Sequence, residues 1–157
     1  MKLLPGEVIR FFQKQAFVIV ATLDRNKTLH NSCKGIVKIS KDGQIYLLDL
    51  YKGRTYDNLK YNATISVTAV DEHKFIGYSL KGKAKIIPTD RLSALVLKDW
   101  DDRITARVAQ RIIRNIHAER GHPRHPETLL PKPEYMIVME VKEIVNLTPQ
   151  HIREKGI

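Results

Sequence analysis

Four consecutive residues, Lys52, Gly53, Arg54 and Thr55, combine a point charge, a backbone free to turn, a planar cation and a hydroxyl. They follow an apolar run, Ile45-Tyr46-Leu47-Leu48-Asp49-Leu50, that reads as a strand. They lead into Tyr56-Asp57-Asn58-Leu59-Lys60-Tyr61, which completes about two turns of predicted helix. A helix start presents unpaired N–H groups and a partial positive charge. With Lys52, Arg54 and Thr55 beside it, that start makes an anion site, most naturally one for a phosphate. The same residues also suit an ordinary strand-to-helix turn with Thr55 as N-cap.

Other chemistry-bearing residues give weaker patterns. Cys33 is the only cysteine and reads first as a small buried residue, or else as a thiol beside a ligand. His117, His122 and His125 with Glu127 loosely resemble a metal cluster, but their spacing matches no zinc pattern, and Pro123 and Pro126 favour an extended loop. No metal is expected. His30 sits in an alternating strand, where it faces either a ligand or solvent.

The elements that position these residues are short. Pro5 to Gln15 reads as a first helix with Val8, Ile9, Phe11 and Phe12 on its apolar side. Strands follow over 17–23, 28–39 and 44–50, joined by the turns Asp24-Arg25-Asn26-Lys27 and Ser40-Lys41-Asp42-Gly43. After the short helix come strands over 64–70 and 75–87, the second with Lys81, Lys83 and Lys85 on one face and with Gly77 and Gly82 as candidate bulges. From Pro88 onward Leu92, Leu95, Val96, Trp100, Ile104, Val108, Ile112 and Ile116 form a helical apolar stripe, which Asp99-Trp100-Asp101-Asp102 could split in two, with Gly121 as C-cap. Residues 121–133 read as a loop and 135–147 as the last strand. Hairpin-linked strands with few helices predict a mainly β fold, an antiparallel barrel, over a single domain, 1–157, with a helical insertion at about 89–121.

Composition narrows the class. The 157 residues suffice for one core, and 43% are hydrophobic. No apolar run approaches the ~20 residues of a membrane helix, and no signal peptide is apparent. One cysteine excludes an intrachain disulfide, which suits a reducing cytoplasm. The net charge of +10 lies mostly in residues 1–88, which carry 15 Lys and Arg against 7 Asp and Glu. A basic domain can take nucleic acid, an anionic surface or a small anion. Neither the lysine strand nor the face of Arg103, Arg107, Arg111 and Arg114 interleaves aromatics for base stacking.

Taken in order, residues 17–23, 29–39 (with Asn31-Ser32-Cys33 at the start) and 51–70 resemble the FMN-binding split β-barrel proteins related to pyridoxamine 5′-phosphate oxidase. The resemblance spans residues 3–88 and the last strand, 134–147. It implies a six-stranded antiparallel split barrel of Greek-key type, and two chains with FMN at their interface. It implies a cofactor phosphate held at Lys52, Arg54 and Thr55, with Asn58 one helical turn further on. It implies an isoalloxazine ring along Asn31, Ser32, Cys33 and Lys34, where Lys34 meets the phosphate or pyrimidine edge or points outward. The oxidase itself carries further arginines and histidines late in the chain, and no comparable set maps here, so vitamin B6 oxidation is not expected. Three readings follow, in order: an FMN-dependent oxidoreductase taking hydride from a nicotinamide-type donor, a non-catalytic carrier of flavin or haem, and a basic nucleic-acid-binding module.

Overall fold

Period-two alternation carries through to six strands that close on themselves. The computed structural model describes residues 2–116 and 132–153. The strands are β1 (Val18–Leu23), β2 (Leu29–Ile39), β3 (Gln44–Leu48), β4 (Thr64–Asp71), β5 (Ile76–Pro88) and β6 (Tyr135–Asn146). The helices are α1 (Gly6–Gln13), α2 (Arg54–Tyr61), α3 (Ala94–Ile116) and α4 (Gln150–Arg153). All pairings are antiparallel, in the closed order β1-β2-β3-β6-β5-β4. The chain passes from β3 through α2 to β4 without pairing them, which is the Greek-key step.

Inward residues such as Val20, Ile45, Leu47, Val67, Leu80 and Val141 are fully buried. The β5–β6 register shifts between Lys81 and Gly82, and a Cβ at Gly82 would run into the Glu140 carbonyl oxygen. The extra residue of this bulge is Lys142 on β6, and Gly82 opposite it admits the close approach of the β6 backbone where the sheet curls; no register shift falls at Gly77. At one end, α1 seals the barrel with Leu4, Val8 and Phe12, each at most 2% exposed. The opposite end, where β1 and β3 finish and β4 and β6 begin, is closed by α2.

A second, smaller core forms where α3 lies on the outside of the sheet, with Val96 and Trp100 against Met136, Tyr46 and Leu48. This cover explains why both faces of β6 are buried over residues 135–139. The acidic cluster does not break the helix: α3 is continuous. Asp101 and Asp102 face solvent while Trp100 packs inward and Asp99 pairs with Lys38 at 2.9 Å, so only the residue suited to burial is buried. Past Ile104 the stripe leaves this core, with Ile112 and Ile116 exposed, and Leu95 near the helix start is exposed as well. Four-residue α4 is too short for a periodic signal. No helix among the described residues is long and apolar enough to cross a membrane. The expected histidine cluster, the Gly121 cap and most of the loop lie outside the described residues.

Candidate functional site

The anion loop joins the end of β3 to α2, and its backbone fixes which groups face outward. Gly53 is the N-cap of α2, and no side chain caps the helix start. The first intrahelical bond runs from Asp57 N–H to Gly53 C=O at 3.1 Å. The N–H groups of Arg54, Thr55 and Tyr56 therefore remain at the helix start without an intrahelical acceptor. Thr55 lies inside the first turn and is not the N-cap. Gly53 takes that place because the chain turns one step earlier, with Gly53 N–H donating to Tyr51 C=O at 2.7 Å.

The predicted site residues divide into outward and inward sets. Arg54 and Lys52 are exposed. Arg54 has no hydrogen bond or ion pair from its guanidinium among the described residues. Lys52 pairs with Glu134 at 2.7 Å; that contact raises the Lys52 pKa and lowers that of Glu134. Both partners are well exposed, so the pair holds weakly and can exchange. Thr55 is 3% exposed, and its Oγ1 lies 2.9 Å from Ser32 Oγ, inside the barrel mouth. Asn58, 8% exposed, donates its amide to Thr22 Oγ1 at 3.0 Å. These two contacts fasten α2 to β2 and β1.

On β2 the alternation splits the four predicted ring residues. Ser32 and Lys34 lie on one face, and Asn31 and Cys33 on the other, where both are exposed. Cys33 is thus not a buried core residue. Its register neighbour on β1 is Ile19, itself 51% exposed, so the thiol belongs to an outer face that α3 does not cover. Lys34 bonds Asp49 and not an open edge. His30 is half-buried. The first partner of β3 on β2 is Gly35, opposite Leu48. Residues 29–34 pair with β1 alone, and their second edge faces α2 and the loop without a strand partner among the described residues. That edge offers backbone donors and acceptors beside the helix start.

Residues outside the sequence reading complete the loop. Asp49, 3% exposed, accepts from Lys34 and from the Tyr135 hydroxyl at 3.0 Å. Tyr135 also lies within 3.2 Å of the Tyr51 carbonyl oxygen, and its ring packs on Tyr56 with centroids 4.9 Å apart. Burial first, then the Asp49 charge, pushes the Tyr135 pKa well up, so the phenol stays a donor. A buried ion pair such as Lys34–Asp49 requires this kind of extra bonding to offset its desolvation. Asp49 carried one signal in the sequence, as the lone charge in the run 45–50. Tyr135 carried none, because its partner is 86 positions away.

Comparison with known proteins agrees with this architecture. HupZ from Group A Streptococcus has a similar structure, with TM-score 0.65 and 17% identity, covering 92% of this chain and 95% of that one. The haem storage protein HutZ from Vibrio cholerae gives 0.54 and 18%, covering 92% and 94%. An F420 reductase gives 0.58 and 15%, covering 90% and 98%. At these identities the likeness establishes the fold alone. No curated protein matches the sequence. A family model described as pyridoxamine 5′-phosphate oxidase matches residues 4–132, most of the chain. With its closed six-stranded antiparallel barrel, the chain belongs to the pyridoxamine 5′-phosphate oxidase family.

Proposed function

We propose that the protein binds FMN in a symmetric dimer and passes electrons from a reduced nicotinamide-type donor to a small acceptor. The observation that carries this reading is the uncapped start of α2 beside Arg54, whose guanidinium has no intramolecular partner among the described residues. These groups fit a phosphate: N–H donors, a planar cation and an exchangeable ammonium at Lys52. When bound, the flavin supplies the hydride chemistry. The chain's own residues bind and orient. Arg54, Lys52 and the helix start hold the phosphate, while Ser32 and Thr55 fix the distance between helix and strand. The open edge of residues 29–34, with Asn31 and Cys33 flanking it, meets the polar side of the ring. Lys34 acts one step back, by holding Asp49.

Dimerisation is supported by a contiguous outer face. Ile19 stands between Cys33 and Thr68 in register, with Phe17 and Val70 each at least 60% exposed beside it. Apolar groups gathered in this way mark an interaction surface. The nucleic-acid reading rests on net charge alone, because neither the lysine strand nor the arginine face of α3 interleaves aromatics for base stacking. HutZ, described as a haem storage protein, shares the fold, so a carrier of flavin or haem is the second reading.

The test is the visible spectrum of the purified protein, followed by titration with FMN while the melting temperature is read. Flavin bands, or a rise in melting temperature from a ligand that binds only the folded state, support the cofactor. NADH or NADPH oxidation by the loaded protein supports the oxidoreductase, and its absence favours a carrier. A protein indifferent to FMN removes the flavin reading.

A further inference from the structure

We propose that Tyr135 is a positioning residue that makes the α2 loop selective for a phosphorylated ligand; this rests on the FMN reading above and adds a residue to it. The loop is held from outside at few places. Its turn is closed by Gly53 N–H on Tyr51 C=O, and the hydroxyl of Tyr135 reaches that same carbonyl oxygen at 3.2 Å. It also reaches Asp49 at the end of β3, at 3.0 Å. The ring of Tyr135 lies against Tyr56 in the first turn of α2. One side chain from the last strand thus touches the three consecutive pieces whose relative placement defines the anion site. The preceding residue, Glu134, meets Lys52 in the loop itself.

A buried tyrosine needs one acceptor for its hydroxyl, and any core carbonyl would do. Here the single phenolic proton is shared between a carboxylate already bonded by Lys34 and a carbonyl inside the loop. That choice costs desolvation of the carboxylate, and the return is a fixed loop. A phosphate reads this fixity strongly, because its oxygens must meet several N–H groups and Arg54 at once. A ring lying along β2 reads it weakly. The two parts of the ligand therefore separate the positioning role from a merely structural one.

The experiment compares FMN with riboflavin, which lacks the phosphate, by fluorescence titration of the full chain and of Tyr135→Phe, with melting curves to confirm folding. The wild type is expected to prefer FMN. In Tyr135→Phe the FMN dissociation constant rises about tenfold, the scale of one good hydrogen bond, while that for riboflavin moves less than about twofold. Tyr56→Leu keeps both hydroxyl contacts and removes the ring on α2. It should lose FMN preference in the same direction, by about threefold, and it decides the question if Tyr135→Phe does not fold. An unchanged preference in a folded variant, or equal weakening of both ligands, overturns the role of Tyr135 alone. A wild type that binds both ligands equally overturns the phosphate reading of α2, and the role of Tyr135 with it.

Discussion

The two ends of the barrel are closed by helices of equal length in opposite ways. At the α1 end, Leu4, Val8 and Phe12 enter the core, Phe11 sets its ring edge-on against Phe12 and Tyr78, and Arg103 donates to the Gln13 and Gln15 carbonyls at the helix C-terminus. That seal is apolar, and its few polar groups are capped. At the α2 end, contact is made through Ser32–Thr55 and Thr22–Asn58, and the apolar share is smaller, with Leu59 in the core and Tyr56 partly buried against it. The helix start there is left uncapped and the loop is tied by Asp49 and Tyr135. An apolar plug yields stability without direction, since burial is proportional to area. Hydrogen-bonded closure yields less stability but fixes distances, which a ligand site requires. The α1 end secures the fold, and the α2 end holds geometry.

Substitutions at the two ends should have different consequences. The largest effect is expected at the plug: Phe12→Ala should cost about 3–5 kcal/mol in denaturant unfolding by leaving a core cavity, while the folded fraction keeps its FMN affinity. A large fall in affinity there would break the division between the ends. Arg54→Ala should weaken FMN about ten- to a hundredfold by isothermal titration, with the ligand-free melting temperature unchanged. If affinity is unaffected, the phosphate is held elsewhere.

Asn58→Ala should cost about 1–2 kcal/mol of ligand-free stability, because Thr22 Oγ1 loses its buried donor. Stability equal to wild type would mean that the polar closure contributes nothing. A pH series probes Tyr135. Its pKa is raised in the folded chain above the ordinary value near 10. Its contribution is therefore complete below pH about 10 and is lost above it, as the unfolded chain ionises first. The melting temperature of wild type should fall more steeply than that of Tyr135→Phe in that alkaline window, and parallel curves would contradict the clamp. The smallest effect belongs to Glu134→Gln. Releasing Lys52 from an exposed pair should tighten FMN about twofold, and weaker binding would mean that Glu134 supports the site.

Much of the barrel was legible because hairpin turns and alternating runs are local. The helix over Arg54–Tyr61 and the strands around it fall within a residue or two of expectation; β3 stops two residues early, at Leu48, because Asp49 turns toward Lys34 and Tyr135. The α3 stripe gave the helix but not its fate. The same spacing holds Trp100 in a core and leaves Ile116 in solvent, since the sheet beneath ends before the helix does. The candidate site was legible as a set of residue types and not as directions. Thr55 and Asn58 read as groove residues, yet their side chains are buried and bonded inward, because α2 must fill the barrel mouth with whatever its inner face carries.

The strands, the α2 start with its cations and the basic character of residues 1–88 are properties of neighbouring residues, and local patterns suffice to specify them. That Lys34 serves Asp49, that Cys33 is exposed, that residues 29–34 keep an open edge, and that Tyr135 reaches back to the loop are outcomes of folding. Each of these depends on which strand lies beside which. Closing the barrel sets that order through contacts distant in sequence, and no local pattern encodes them.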